Sequence, residues 1–246
     1  MTPRATLPLC LLLACAPGPR PPADSDECPA APPATPRFTP GSTVFAVLPD
    51  TQLYSLRYPA IFDAQTRWIA SNADPLNIRY TFHLGDIVNN NTDVEWERAA
   101  SSMALLDDVV PYAMVTGNHD YGPSGDASSR EGGLNRFFAY DDAARMPSFG
   151  GAFAPGALDN TYHLFSAGGH EWIAMALEWG PRDEVVAWAD EVMARHPDRL
   201  GIFITHAYLN NNNRRYDHTD IANPQDFNPH EYKTPGGVND GEELWN

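Results

Sequence analysis

Cysteine is scarce in this chain of 246 residues, and its placement excludes two kinds of site. The three cysteines are Cys10, Cys15 and Cys28, all close to the N-terminus. A disulfide framework or a thiolate metal site needs several cysteines inside the folded part of a protein. The long stretch after Cys28 can therefore contain neither.

Basic residues are also few, because 16 Lys and Arg stand against 32 Asp and Glu, a formal net charge of −16. Such a surface repels a phosphate backbone, whereas nucleic-acid binding relies on basic patches that release counterions. The composition argues against a nucleic acid as partner. A nuclease would need a local basic groove to overcome this charge.

The apolar stretch near the N-terminus, Leu9–Ala14, is too short to span a bilayer. It follows Arg4 and leads into Cys15, which is the order of a bacterial lipoprotein signal with cleavage before an acylated cysteine. We predict a lipoprotein signal peptide over residues 1–14 and a membrane tether through lipidated Cys15. The protein would then be exported and anchored to the bacterial cell envelope, at the outer membrane or the periplasmic face. An ordinary secretory signal and an uncleaved anchor are the alternatives.

The next segment is rich in proline, with nine prolines between Ala16 and Pro40. Such a composition is typical of a semi-extended, disordered spacer. We therefore predict a linker over residues 15–40 and a folded domain over residues 41–246.

From Thr43 onward, short apolar runs alternate with helical patterns, which is typical of an α/β protein. Strands are predicted at Val44–Leu48, Ile78–Leu84, Pro111–Thr116 and Gly201–Thr205. Helices are predicted over Pro59–Asn72, from an N-cap at Asp93 to Leu106, around Phe137, Phe138 and Tyr140, and between Arg182 and Arg195. An antiparallel hairpin of Thr161–Phe165 and Glu171–Ala176 around Gly168 and Gly169 makes the predicted sheet arrangement mixed.

Each of the four predicted strands is followed within two residues by a residue that can bind a metal: Asp50, Asp86, Asn118 and His206. In open α/β sheets the loops after the carboxyl ends of the strands meet at one crevice, so these residues are expected to converge. A carboxylate such as Asp86 can bridge two cations. Carboxylate, amide and imidazole together favour Zn, Mn or Fe.

The series Asp50-Thr51-Gln52, Gly85-Asp86-Ile87-Val88-Asn89, Gly117-Asn118-His119-Asp120 and Thr205-His206 resembles the calcineurin-like metallophosphoesterases. The resemblance extends from Val44 to the last residue. It implies a four-layer α/β/β/α sandwich with mixed sheets. It also implies two divalent or trivalent transition-metal ions (Fe, Mn or Zn), held by the following ligands: Asp50, Gln52, Asp86, Asn118 and His206.

The resemblance further implies that a small-molecule phosphomonoester or phosphodiester is hydrolysed by a metal-bound hydroxide. His119 would act as the general acid for the leaving group. Asp120 would orient the His119 imidazole and raise its basicity.

The sequence departs from the family pattern at two points. Residue 52 is Gln where the family commonly has His, and the terminal Gly-His-x-His segment has no counterpart. The last residues, Gly241–Asn246, look like the start of the helix before that segment, so we expect a truncated reading of a longer protein. His218 and His230 are interpreted as ordinary loop residues rather than replacement ligands. These departures motivate an alternative function, a membrane-tethered, catalytically degenerate binding module.

Overall fold

The structure is a computed structural model that describes residue 39 and residues 41–246. The predicted signal peptide, residues 1–14, lies outside these described residues, as does the predicted linker, residues 15–40, apart from residue 39. Among the described residues, none of the helices combines the length and the apolar character needed to cross a membrane.

Seven strands and six α-helices are formed by the described residues. The strands are β1 (Val44–Leu48), β2 (Ile78–His83), β3 (Tyr112–Met114), β4 (Phe149–Ala152), β5 (Thr161–Ala167), β6 (His170–Ala176) and β7 (Leu200–Ile204). The helices are α1 (Gln52–Arg57), α2 (Pro59–Ser71), α3 (Asp93–Met103), α4 (Leu134–Phe137), α5 (Tyr140–Arg145) and α6 (Asp183–Ala194).

The strands form two sheets. The first has the order β1-β2-β3 and is parallel throughout. The second has the order β4-β5-β6-β7, in which β5 and β6 form the predicted antiparallel hairpin and β7 runs parallel to β6. The four apolar runs that end at candidate ligands are therefore not neighbours in one sheet, because the run before His206 lies in the second sheet.

The core residues show a four-layer order. Helices α2 and α3 cover one face of the first sheet with buried side chains such as Phe62 and Trp96. Tyr80 and Phe82 on the other face pack against Ala174 of the second sheet. The outer face of the second sheet packs on α6. Helices, a parallel sheet, a mixed sheet and a further helix stack in the predicted α/β/β/α order.

The predictions of individual helices and strands need five corrections. Helix α3 is capped by Thr92 rather than Asp93, because Glu95 accepts from the Thr92 backbone N–H at 3.1 Å and closes a capping box. The aromatic helix is split into α4 and α5, since Phe138 has extended backbone angles. Helix α1 and strand β4 were not predicted, because they have only six and four residues. The last residues, 241–245, form turns rather than the start of a helix.

Helix α2 offers a matched test of the packing. Phe62 is fully buried between α2 and the first sheet, whereas its neighbour Ile61 is 45% exposed. We expect Phe62→Ala to lower the free energy of unfolding by about 3–5 kcal/mol, through lost burial and a residual cavity. Ile61→Ala should change it by less than about 0.5 kcal/mol. Urea denaturation of both variants checks this, and equal losses would contradict the assigned face of α2.

Candidate metal centre

Asp86 is the central carboxylate of the site and is 4% exposed. It follows β2 after Gly85, and both residues have positive φ values of 47° and 91°. Asp is among the few non-glycine residues that adopt this left-handed conformation readily, so the carboxylate can follow Gly85 in the same turn. A Cβ added to Gly85 would lie 2.8 Å from the Gly117 nitrogen and 2.9 Å from His206 Nδ1. Glycine at position 85 therefore lets the three strand ends approach one another.

His206 enters the site from the end of β7 in the second sheet. Its Nδ1 donates to the Leu84 carbonyl oxygen at 2.8 Å, which leaves Nε2 to face Asp86 Oδ1 at 3.4 Å. Metal-binding histidines characteristically donate their second ring N–H to a carbonyl or carboxylate in this way. The contact fixes the tautomer in which Nε2 can bind a metal.

The electrostatics of His206 and Asp86 are coupled. Burial lowers the pKa of His206, but the Asp86 charge, its hydrogen bond and Asp50 together raise it to about 9. Burial raises the pKa of Asp86, whereas the charge and hydrogen bond of His206 hold it below its usual value. Without a metal, a proton on His206 therefore compensates the buried carboxylate at neutral pH.

This coupling predicts a pH dependence of metal binding. A metal needs the neutral imidazole, so binding at pH 7 should release the His206 proton. We expect metal affinity to rise about tenfold per pH unit from pH 7 and to level off near the pKa of about 9. Calorimetric titration in buffers of different ionisation enthalpy measures the released proton. Equal heats in all buffers would contradict the prediction, and the exposed His170→Gln variant should behave like the unsubstituted protein.

Asp50 and Gln52 lie in the segment after β1 and form one side of the site. Asp50 has a positive φ of 22° and its Oδ1 lies 3.7 Å from His206 Nδ1. One ligand atom each from Asp50, Asp86 and His206 lie within 4.8 Å of one another. Gln52 is the first residue of α1, and its Oε1 is buried without a hydrogen-bond partner among the described residues. A buried, unpartnered acceptor is costly unless a cation or an ordered water satisfies it.

Asn118 follows Gly117, four residues after the end of β3, and it is buried. Its Nδ2 donates to the Gly125 carbonyl oxygen at 3.0 Å, which fixes the amide and leaves Oδ1 as the atom for a ligand. A Cβ added to Gly117 would overlap Asp86 Oδ1, so the Asn118 turn packs directly on the central carboxylate. Two carboxylates, an imidazole and neutral amide oxygens form a donor set that fits transition-metal ions.

His119 lies beside Asp86, because its backbone N–H donates to Asp86 Oδ1 at 3.0 Å. Its ring Nδ1 lies 2.8 Å from the Asn89 carbonyl oxygen. A carbonyl can only accept, so Nδ1 carries the hydrogen and Nε2 is the ring atom left for a substrate. A Cβ on Gly125, which has a φ of 76°, would lie 2.5 Å from that Nε2, so only glycine lets this loop pass the ring.

The predicted role of Asp120 needs a correction. Its carboxylate accepts from the backbone N–H groups of Gly117, Val88 and Ile87, at 2.7, 2.9 and 3.2 Å. Burial and the Asp86 charge raise the pKa of Asp120 to about 7, against the effect of these three donors. Asp120 thus joins the two loops that carry Asp86 and Asn118. The Asn89 carbonyl, not Asp120, contacts the His119 ring.

The Asn89 carbonyl is held by the start of α3. Glu95, 2% exposed, accepts from the Asn90 backbone N–H at 3.1 Å and from Thr92 at the N-cap. The capping box therefore fixes the loop that orients His119. The Thr-x-x-Glu spacing was visible in the sequence and could have found this contact.

An aromatic wall next to His206 was not found from the sequence. The Trp179 ring lies 5.6 Å from the His206 ring and 5.1 Å from the Tyr232 ring. Trp179 follows β6, and Tyr232 belongs to the irregular segment after β7. His83, by contrast, is a buried strand residue as predicted, and its Nε2 lies 2.9 Å from Thr51 Oγ1.

Three comparisons show which known proteins the chain is similar to. A family profile described as calcineurin-like phosphoesterase matches residues 43–232. The uncharacterized protein YvnB of Bacillus subtilis (strain 168) is 39% identical over 180 residues, which cover 72% of this chain and 13% of that protein. Purple acid phosphatase PPD1 from yellow lupin (Lupinus luteus) seeds superposes with a TM-score of 0.44 and 19% identity, over 84% of this chain and 36% of that chain. The chain thus spans a minor part of either protein. On the family match, which covers more than half of its length, this chain belongs to the calcineurin-like phosphoesterase family.

Proposed function

We propose that this domain is a metal-dependent phosphoesterase with a site for two transition-metal ions. The observation that carries the proposal is the convergence of Asp50, Asp86 and His206 from both sheets, with ligand atoms within 4.8 Å. Asn118 and Gln52 add amide oxygens, and His119 is bonded through its backbone to Asp86. Bound metal ions would supply an activated water and neutralise charge on the phosphoryl oxygens.

The protein side chains would then perform three tasks. Asp86 and Asp50 provide the negative charge that retains the cations, and His206 is kept in its binding tautomer by the Leu84 carbonyl. The Asn89 carbonyl holds His119 Nδ1–H, so that the protonated ring presents its Nε2 proton. Donation of that proton to the departing oxygen is general acid catalysis.

The substrate that fits best is a small phosphomonoester or phosphodiester. The net charge of −16 disfavours a polyanionic strand. Arg214 and Arg215, which follow β7, are paired with Asp220 at 2.9 Å and Glu242 at 2.7 Å. Their guanidinium groups are thus engaged in ion pairs outside the metal centre. The bound metal ions, rather than these arginines, would bind the phosphate.

The place of action stays a prediction from the sequence. The signal over residues 1–14 and lipidation of Cys15 would export the domain and tether it to the cell envelope. The acidic surface is compatible with a free or a tethered domain.

Hydrolysis assays on the whole chain test the proposed function. Protein reconstituted with Mn, Fe or Zn should cleave p-nitrophenyl phosphate or bis(p-nitrophenyl) phosphate. Chelation should remove the activity, and added metal should restore it. Metal binding without turnover on either ester would instead support the alternative, a binding module of the same fold.

A further inference from the structure

A second group of possible ligands lies in the irregular segment after β7. His218, His230, Asp240 and Glu243 each offer one ligand atom, and these atoms lie within 4.8 Å of one another. The group shares no residue with the centre formed by Asp50, Asp86 and His206. It was not predicted, because the two histidines are 12 residues apart in a stretch without periodicity.

The distances within the group match those between ligands of one small cation. His218 Nδ1 lies 3.1 Å from Asp240 Oδ2 and 3.9 Å from Glu243 Oε1. His230 Nε2 lies 2.7 Å from Glu243 Oε2. A tetrahedral zinc ion with bonds of about 2.0–2.1 Å has its ligand atoms roughly 3.3 Å apart. Coordination of one ion by both imidazoles requires a rotation of the stacked rings, because each metal–nitrogen bond lies in the plane of its own ring.

The surroundings hold the four side chains in place. The two imidazole rings are stacked with their centroids 3.7 Å apart and an interplanar angle of 26°. Asp240 is fully buried, and its Oδ2 accepts from Asn228 Nδ2 at 3.0 Å and from the His218 backbone N–H at 2.7 Å. Hydrogen bonds from neighbouring groups orient the carboxylates that bind metals in proteins.

The segment has little regular structure of its own, although hydrogen bonds such as Arg130 Nε to the Pro235 carbonyl oxygen at 2.8 Å and Asn239 Nδ2 to the Pro181 carbonyl oxygen at 2.9 Å join it to the rest of the domain. Residues 205–246 are all described, and their regular structure is one 3₁₀ turn, Pro229–Glu231, and one isolated bridge between Leu209 and Arg215. Irregular segments of this length are uncommon in compact domains unless something fixes them. A structural metal stabilises a small irregular region by the free energy of its binding.

We propose that His218, His230, Asp240 and Glu243 form a structural zinc site that is separate from the phosphoesterase centre. Two imidazoles and two carboxylates form a closed four-ligand set of the kind that zinc accepts. The zinc closes the loop between residues 218 and 243. That loop carries Tyr232, whose ring packs on Trp179 beside His206. The second site would therefore fix one wall of the first, although the proposal does not depend on catalysis.

Metal counting on the whole chain tests this proposal. A His206→Gln, Asp86→Asn double variant weakens the main centre, so one tightly bound zinc per chain should remain after dialysis. His218→Gln or His230→Gln added to that background should remove it. The exposed His170→Gln serves as the matched control and should keep the zinc. Zinc analysis by mass spectrometry gives the count, and circular dichroism verifies that each variant is folded.

Cobalt substitution provides a direct readout of the coordination geometry at the second site. Cobalt bound at the second site of the double variant should give the intense visible absorption of four-coordinate geometry, and zinc should displace it. Limited proteolysis should also cut between residues 210 and 240 faster after chelation. A double variant that retains no zinc, or that retains it equally with and without His218 and His230, would overturn the proposal. Neither result would bear on the phosphoesterase assays, which are made with metals added at the first centre.

Discussion

The variant Asp86→Asn is expected to lose nearly all hydrolytic activity while keeping the fold. The amide has the same shape, and its Oδ1 can still accept from the His119 backbone N–H. The substitution removes the one carboxylate that contacts both His206 and the turn that carries His119. Changing even outer-shell partners of a metal costs roughly 10–100-fold. We therefore expect kcat/KM to fall by more than about 100-fold, with a matching loss of bound metal.

Asp190→Asn is the matched control for this variant. Asp190 is an exposed residue on α6, in the layer beyond the second sheet. The Asp190→Asn substitution makes the same change of charge and should leave the activity and the metal content unaltered. Steady-state kinetics and metal analysis on both proteins make the comparison. An Asp86→Asn protein with full activity would remove the basis of the proposed metal centre.

The second large effect is expected for His119→Ala. Loss of a general acid lowers kcat by roughly 10²–10⁴-fold. The metal content should stay unchanged, because the ligand atoms assigned to the centre come from other residues. The loss should be greatest for alkyl phosphates, whose leaving oxygen needs a proton, and smallest for nitrophenyl esters, whose leaving group departs unprotonated.

The dependence on the leaving group separates acid catalysis from a structural role. A merely distorted site would lower the rates of alkyl and nitrophenyl esters by the same factor. His170→Ala, at an exposed position on β6, should match the unsubstituted protein with both substrates. Equal losses in His119→Ala on the two ester classes would count against a proton donor at Nε2.

The sequence was sufficient to predict the strands after which the candidate ligands lie, whereas their binding of metal stays a prediction. Asp86, Asn118 and His206 follow apolar runs, and the end of a strand is a local property that a short window contains. The amphipathic helix α6 was predicted for the same reason, since its apolar face repeats with helical periodicity. The convergence of Asp50, Asp86 and Asn118 was expected because the parallel strands of the first sheet deliver their carboxyl ends to a common edge, whereas His206 joins them from the second sheet.

Contacts between segments distant in the chain could not be predicted in this way. The division of the strands between two sheets depends on the packing of Tyr80 and Phe82 against Ala174, which no local pattern records. The partner of the His119 ring was predicted to be Asp120, its neighbour in sequence. The structure assigns that contact to the Asn89 carbonyl, from a loop 30 residues earlier. Backbone carbonyls carry no residue-specific signal, so sequence reasoning overlooks them.

Anomalous diffraction from crystals of the metal-loaded protein measures the central claim most directly. We expect two peaks about 3.5–4 Å apart, both within coordination distance of Asp86, with His206 Nε2 as a ligand to one of them. Asp50 and Asn118 should complete the two coordination shells. Peaks confined to other parts of the molecule, with Asp86 and His206 still paired only with each other, would contradict the claim.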